Sequence, residues 1–119
     1  MKKVVVLGAS PNPQRFSHQA VRSLLTRDYT VIPVGIRQGF IENLPIATGM
    51  PDVTDVDTIL LYIRPELQKD YYDYILMLEP RRIIFNPGTE NPELIALCKK
   101  NRIETVQDCS LVMLSMGTF

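Results

Sequence analysis

The sequence predicts a doubly wound α/β domain: an open parallel sheet of about five strands with helices on both faces. Three observations predict it. Short β-branched runs recur along the chain, with helical stretches between them. The first, third and fourth runs are continuously apolar instead of alternating, which suits strands covered on both faces. Five such runs in 119 residues leave about 24 residues per unit, close to a compact βα repeat. One domain over residues 1–119 accounts for the chain, with no linker, internal repeat or low-complexity tract.

The elements follow in order. Residues 4–7 form the first strand. Ser17 is suited to N-cap the first helix, whose inward stripe is Val21, Leu24 and Leu25. Asp28 closes it, because Asp tolerates positive φ. The second strand is 31–34, with Pro33 inside it. Residues 35–57 contain Gly39, Pro45, Gly49 and Pro51 and keep no period, so they read as a loop with a short strand or one turn of helix. The third strand is 58–63. Arg64-Pro65-Glu66 then opens a helix with Pro at its first position and Leu67, Tyr71, Ile75 and Leu78 on one face; Pro80 ends it. The fourth strand is 83–85. Asn91 caps the next helix, Lys99 and Lys100 suit its last turn, and Asn101 is a left-handed stop. The weakest strand is 104–106.

Composition narrows the function. Apolar residues are 45% and charged residues 22%, which fits a folded core and excludes intrinsic disorder. Thirteen Lys and Arg balance thirteen Asp and Glu, so the basic surplus of a nucleic-acid binder is missing. A local basic site for one small anion stays compatible with that balance. No apolar run approaches the roughly 20 residues of a membrane span. Lys2 and Lys3 precede only four apolar residues, too few for a signal-peptide core. Cys98 and Cys109 make neither a disulfide framework nor a zinc spacing, so reduced thiols in the cytoplasm are expected.

Open parallel sheets bind ligands at the carboxyl ends of their strands, near the switch in strand order. That rule selects four loops: 8–17, 35–39, 62–65 and 86–91. The first reads Gly8-Ala9-Ser10-Pro11-Asn12-Pro13-Gln14-Arg15-Phe16-Ser17. Gly8 permits a sharp turn, Ser10 and Ser17 offer hydroxyls, Arg15 offers a permanent charge, and a helix N-terminus follows. It is neither a complete G-x-G-x-x-G nor a P-loop. In the second loop a dinucleotide site would carry an acid for the ribose hydroxyls. The chain has Pro33-Val34-Gly35-Ile36-Arg37 instead. A cation there favours a ligand with an extra phosphate on its adenosine ribose, either NADP or coenzyme A. In the third loop Tyr62, Ile63 and Arg64 place an aromatic, an aliphatic and a cationic side chain at a strand end, and an adenine ring fits against the apolar pair. The fourth loop, Asn86-Pro87-Gly88-Thr89-Glu90-Asn91, is turn chemistry first, with backbone that can meet the far end of the ligand.

In order and spacing these loops resemble the small stand-alone coenzyme A-binding proteins, whose fold is similar to the CoA-binding domain of the succinyl-CoA synthetase α subunit. The resemblance rests on Gly8-Ala9-Ser10, Pro13, Arg15 and Ser17; on Tyr29, Val31, Pro33 and Val34; on Arg64-Pro65-Glu66; and on Asp108-Cys109 as a shortened Asp-Arg-Cys. It implies a Rossmann-like fold that binds CoA across the strand ends. Ser10, Arg15 and Ser17 would lie near phosphates and Val34 beside the adenosine. Arg37 is the nearest match to a basic residue that contacts CoA in the synthetase. The chain departs from the pattern at Gly35-Ile36, where the family has Asn-Pro, and at Asn86-Pro87-Gly88, where it has a Gln-Leu-Gly type.

Catalytic candidates are few. His18 is the single histidine, beside the anion loop, and Cys109 follows the last strand. Cys98 belongs to a helix's apolar face. No carboxylate pair, Ser/His/Asp set or metal cluster stands in the strand-end loops. The expected function is therefore non-enzymatic binding of coenzyme A or an acyl-CoA by a regulatory or carrier module. The alternatives are an NADP- or CoA-using enzyme or enzyme fragment with His18 or Cys109 at the site, and an interaction protein with a degenerate nucleotide site. The expected protein partner is a second copy or a partner enzyme. The run 111–116 either covers the sheet edge within one chain or forms a dimer patch.

Overall fold

Continuously apolar runs become the middle of a sheet. In the computed structural model, which describes all 119 residues, β1 (Lys3–Leu7) pairs on one side with β2 (Thr30–Val34) and on the other with β5 (Val56–Leu61). Beyond β5 lie β6 (Arg82–Phe85) and β7 (Glu104–Gln107), and every pairing in this five-stranded sheet is parallel. Successive side chains point to opposite faces. Val4, Val6, Leu60 and Ile84 therefore enter one core, with α1 (Phe16–Leu25) and α5 (Ser110–Met116). Val5, Leu7, Ile59, Leu61, Ile83 and Phe85 enter the other, with α3 (Tyr72–Leu78) and α4 (Pro92–Lys100). A short α2 (Pro65–Gln68) leads through a 3₁₀ turn, Lys69–Tyr71, into α3. This is a single Rossmann-like α/β domain, and no helix in it is long and apolar enough to cross a membrane.

The irregular segment after β2 holds a two-residue hairpin, β3 (Phe40–Ile41) with β4 (Leu44–Pro45). It also returns to the sheet at one point. Ala47 forms a lone parallel bridge with Val34: Gly35 N–H donates to the Ala47 carbonyl and Ala47 N–H to the Pro33 carbonyl, each at 2.9 Å. One residue thus stands where a dinucleotide fold carries its third strand. The same edge explains Pro33. Thr30 N–H donates to the Lys2 carbonyl, and the Val34 carbonyl accepts from Gly8 and Ala9, so these residues turn their polar groups toward β1. By alternation Pro33 turns outward, and its missing N–H costs no ladder bond.

Several local expectations hold and several move. Asn91 accepts from Glu93 N–H at 3.1 Å and Leu94 N–H at 3.4 Å, as an N-cap should. Asp28 has φ of 62°. Ser17, by contrast, is not a cap. The Asn12 side chain and carbonyl accept from Gln14 N–H and Arg15 N–H, and this turn delivers the chain into helix two residues early, with Arg15 at the N-cap and Ser17 only 4% exposed. Asn101 keeps φ of −100° because its backbone and side-chain N–H groups both donate back to Leu97; the left-handed residue is Arg102, at 61°. The third strand ends at Leu61, two residues before the expected end, so Tyr62 and Ile63 belong to the loop. The run 111–116 is α5, whose Met113 and Leu114 are buried beside α1 on a face of the sheet, leaving Val112 and Met116 exposed.

Candidate functional site

The chain leaves β1 toward β2 on one side, then crosses to β5 on the other, so the switch in strand order lies between β1 and β5. A cleft of about 780 Å³ opens at their carboxyl ends. It is bounded by the loop after β1, the residues after β2, the loop after β5, and the start of α2 with its 3₁₀ turn. A second, more open hollow of about 410 Å³ lies by α1; its single apolar lining residue and its Arg22–Glu42 ion pair at 2.8 Å make it a solvated surface dip.

Of the residues predicted from sequence, Gly8, Ala9, Ser10, Arg15, Ser17, Val34, Arg37, Tyr62, Ile63 and Arg64 line the cleft. Pro33 lies one residue behind it, in the β2 edge. Asn86, Pro87 and Gly88 lie outside the lining. Asn86 is 2% exposed and structural: its amide donates to the Leu61 carbonyl at 3.2 Å, and its oxygen accepts Ser110 N–H at 2.8 Å, tying the ends of β5 and β6 to α5.

The first loop is tightly held. Gly8 has φ of 101°, and a Cβ there would meet the Tyr62 backbone at 3.0 Å, so only glycine passes between the two strand ends. Gly8 and Ala9 N–H both donate to the Val34 carbonyl, at 2.8 and 2.9 Å, and so are already engaged. The free backbone donors lie further along, where the first N–H groups of α1 have no intrahelical partner. The His18 Nδ1 sits 2.9 Å from the Ser10 carbonyl; a carbonyl can only accept, so Nδ1 carries the proton. His18 is 7% exposed and braces the loop from inside. Gly35 closes the opposite side: a Cβ there would stand 2.1 Å from the Ala9 oxygen, which gives this chain its reason for glycine where the resemblance has Asn.

The charges are arranged unevenly. The Arg15 and Arg37 side chains are exposed and make no hydrogen bond or ion pair, while Arg64 stands 3.5 Å from Glu66. Asp70 is the cleft's single acid. Tyr62 lines the cleft, but its side chain packs against the core on the α5 side, where its hydroxyl is buried without a partner. Burial pushes that phenol up to about 12; the nearby Ser110 hydroxyl opposes the shift and the Cys109 thiol adds to it. The Ser110 hydroxyl is itself unpartnered. Cys109 stands at the N-cap of α5, outside the cleft lining, and Cys98 is core.

Sequence reasoning missed Leu67, Asp70 and Tyr71. Leu67 and Tyr71 read as part of an inward helical stripe, yet α2 begins only four residues after β5, so its first turn still overhangs the strand ends. Nothing in the sequence marks Gln68 either. It is wholly buried, donates to the Ile63 and Thr89 carbonyls at 2.7 Å each, and accepts from Asn91 at 2.9 Å. Its Ile63 bond fixes the cleft wall. Among Glu66, Lys69 and Asp70 a glutamine gives no sign of burial until its partners are known.

Comparisons with known proteins agree with this architecture. The family model for the CoA binding domain matches residues 2–115. An uncharacterized protein of known crystal structure is 46% identical, with a TM-score of 0.97 over 100% of this chain and 98% of that one. A protein from Thermus thermophilus is 24% identical, with a TM-score of 0.87 over 99% of this chain and 90% of that one. A hypothetical protein from Pyrococcus horikoshii OT3 is 20% identical, with a TM-score of 0.86 over 97% and 82%. At these last two identities the likeness shows the fold alone. No curated protein matches. The family model spans nearly the whole sequence, including all four sides of the cleft: the chain belongs to the CoA binding domain family.

Proposed function

We propose that the protein binds coenzyme A or an acyl-CoA in the β1–β5 cleft, as a carrier or regulatory module and not as an enzyme. The observation that carries this reading is the pair of unpaired arginines, Arg15 and Arg37, on the rim of a switch-point cleft in a chain of this family. The pyrophosphate lies over the loop after β1, where Arg15, the Ser10 hydroxyl and the free N–H groups of α1 converge. The adenosine lies beside Val34 and Ile36, with its 3′-phosphate on Arg37. Two features support binding without catalysis. His18 is buried and tied to the Ser10 carbonyl, and the cleft's one acid has no second carboxylate to work with.

Calorimetric titration with CoA, dephospho-CoA, NADP and NAD tests the reading. CoA should bind, and dephospho-CoA more weakly by about 1–3 kcal/mol for the lost charge-assisted contact. Arg37→Ala should bring the two ligands together in affinity. Arg15→Ala should melt like the parent alone yet gain less stability from added CoA. Binding of NAD but not CoA would overturn the reading.

A further inference from the structure

We infer that the ligand is an acyl thioester with an apolar, uncharged acyl group, and that Leu67, Tyr71 and Asp70 select it. The inference rests on the CoA-binding reading above and concerns the other end of the same cleft. Charge sets the direction of the ligand. The two arginines without partners, Arg15 and Arg37, stand after β1 and β2, whereas Arg64 has Glu66 beside it and Asp70 adds a bare carboxylate on the far wall. A polyanionic head is drawn to the first side and repelled from the second. The ends of β2 and β5 are two strand spacings apart, about 10 Å. A ligand held by its phosphates at Arg15 and Arg37 therefore sends its arm over β5, past Ile63, toward the start of α2.

What waits there is apolar. Leu67 is 50% exposed although it occupies a helix turn whose neighbour Gln68 is fully buried, and Tyr71 beside it is half-buried. Both line the cleft, and Ile63 joins them on that wall. The polar arm of free CoA, ending in a thiol, gives a leucine side chain little to cover. A hydrocarbon chain attached to that thiol covers it, and each methylene that leaves water tightens binding by about fourfold. Asp70, next to Tyr71, selects in the opposite sense: an acyl group ending in a carboxylate would face its negative charge, while Arg64, the one cation lining that wall, has Glu66 beside it and Lys69 lies outside the lining.

The test is a titration series on the intact chain with CoA, butyryl-CoA, octanoyl-CoA and succinyl-CoA. Octanoyl-CoA should bind at least about tenfold more tightly than CoA, since part of its chain is covered. Succinyl-CoA should bind more weakly than butyryl-CoA, which has the same chain length. In Leu67→Ser the octanoyl-to-CoA affinity ratio should fall toward one. In Asp70→Asn the butyryl-to-succinyl ratio should fall likewise. Ratios taken within one variant are insensitive to any general loss of affinity or stability. CoA bound with no gain from butyryl to octanoyl overturns this inference and leaves the CoA-binding reading intact. So does a gain that Leu67→Ser preserves. No binding of any CoA species would instead overturn the reading beneath it.

Discussion

Replacing Gln68 with methionine removes a buried amide while keeping the side chain's length. Two carbonyls lose their donors. The Thr89 carbonyl is buried, and an unsatisfied buried acceptor costs about 1–3 kcal/mol. The Ile63 carbonyl is only part-buried and borders the cleft, so water replaces its donor at lower cost. Asn91 keeps its bond to the Tyr72 hydroxyl at 2.8 Å, and so loses less. Together the loss should be about 2–4 kcal/mol. In a chain of 119 residues each kcal/mol moves the melting temperature by about 4 °C, so the variant should melt about 8–16 °C below the parent. Thermal unfolding followed by circular dichroism measures it. A melt within about 4 °C of the parent would show that the network holds without its central amide, and would refute the reasoning.

Three further outcomes are expected. Gly35→Ala should cost about 3 kcal/mol or more, read as a lowered urea midpoint, because its Cβ would stand 2.1 Å from the oxygen of Ala9, whose N–H is tied to the Val34 carbonyl; an unchanged midpoint would mean that the loop after β1 yields freely. The Arg81 hydrogen bond holds Asp57 below its ordinary 3.8, with burial opposing and Thr58 assisting. The folded state thus binds this proton less readily than the unfolded one, so the stabilisation is complete above 3.8 and fades as pH falls through the lower folded value. Arg81→Ala should flatten the acid limb of the stability curve below about pH 4, and parallel curves for the two proteins would contradict this. Cys98, fully buried with its thiol pushed up to about 11, should resist a thiol-labelling reagent at neutral pH until denaturant is added, whereas Cys109 is partly accessible in the native state; rapid labelling of both thiols in the native protein would argue against that burial.

The sheet was legible because its strands are buried on both faces, and a continuous apolar run as short as Val4-Val5-Val6-Leu7, closed by a glycine, suits a central strand and little else. The first wall of the cleft was legible for a related reason: Gly8 and the loop after it stand directly behind such a run. The second wall was not. Leu67 and Tyr71 fit a helical stripe as well as they fit a binding surface, and periodicity does not reveal where a helix overhangs the sheet. Ser17 and Asn101 failed for another reason. Each is a good terminal residue by type, but local hydrogen bonds from Asn12, and from Asn101 itself, moved the helix ends by one or two residues. By type Asn86 reads as a loop residue near ligand, yet both ends of its amide are spent on Leu61 and Ser110, a long-range pairing that no local pattern encodes.

The lone bridge at Ala47 and the outward-facing Pro33 bear on how such molecules can associate. A sheet that recruits strands from its neighbours needs two receptive margins per molecule to grow without limit. On the β2 margin a ring nitrogen carries no hydrogen, and the carbonyl beside it is already occupied by Ala47. Val31 leaves one open N–H and carbonyl on that margin, whereas β7 is open along its length, four residues with exposed Glu104 and Gln107 at its ends. Joining through the sheet is therefore less favoured at the β2 margin than at β7. A fold built mainly of valine, isoleucine and leucine strands thus narrows one of its two margins with one imino acid and one alanine.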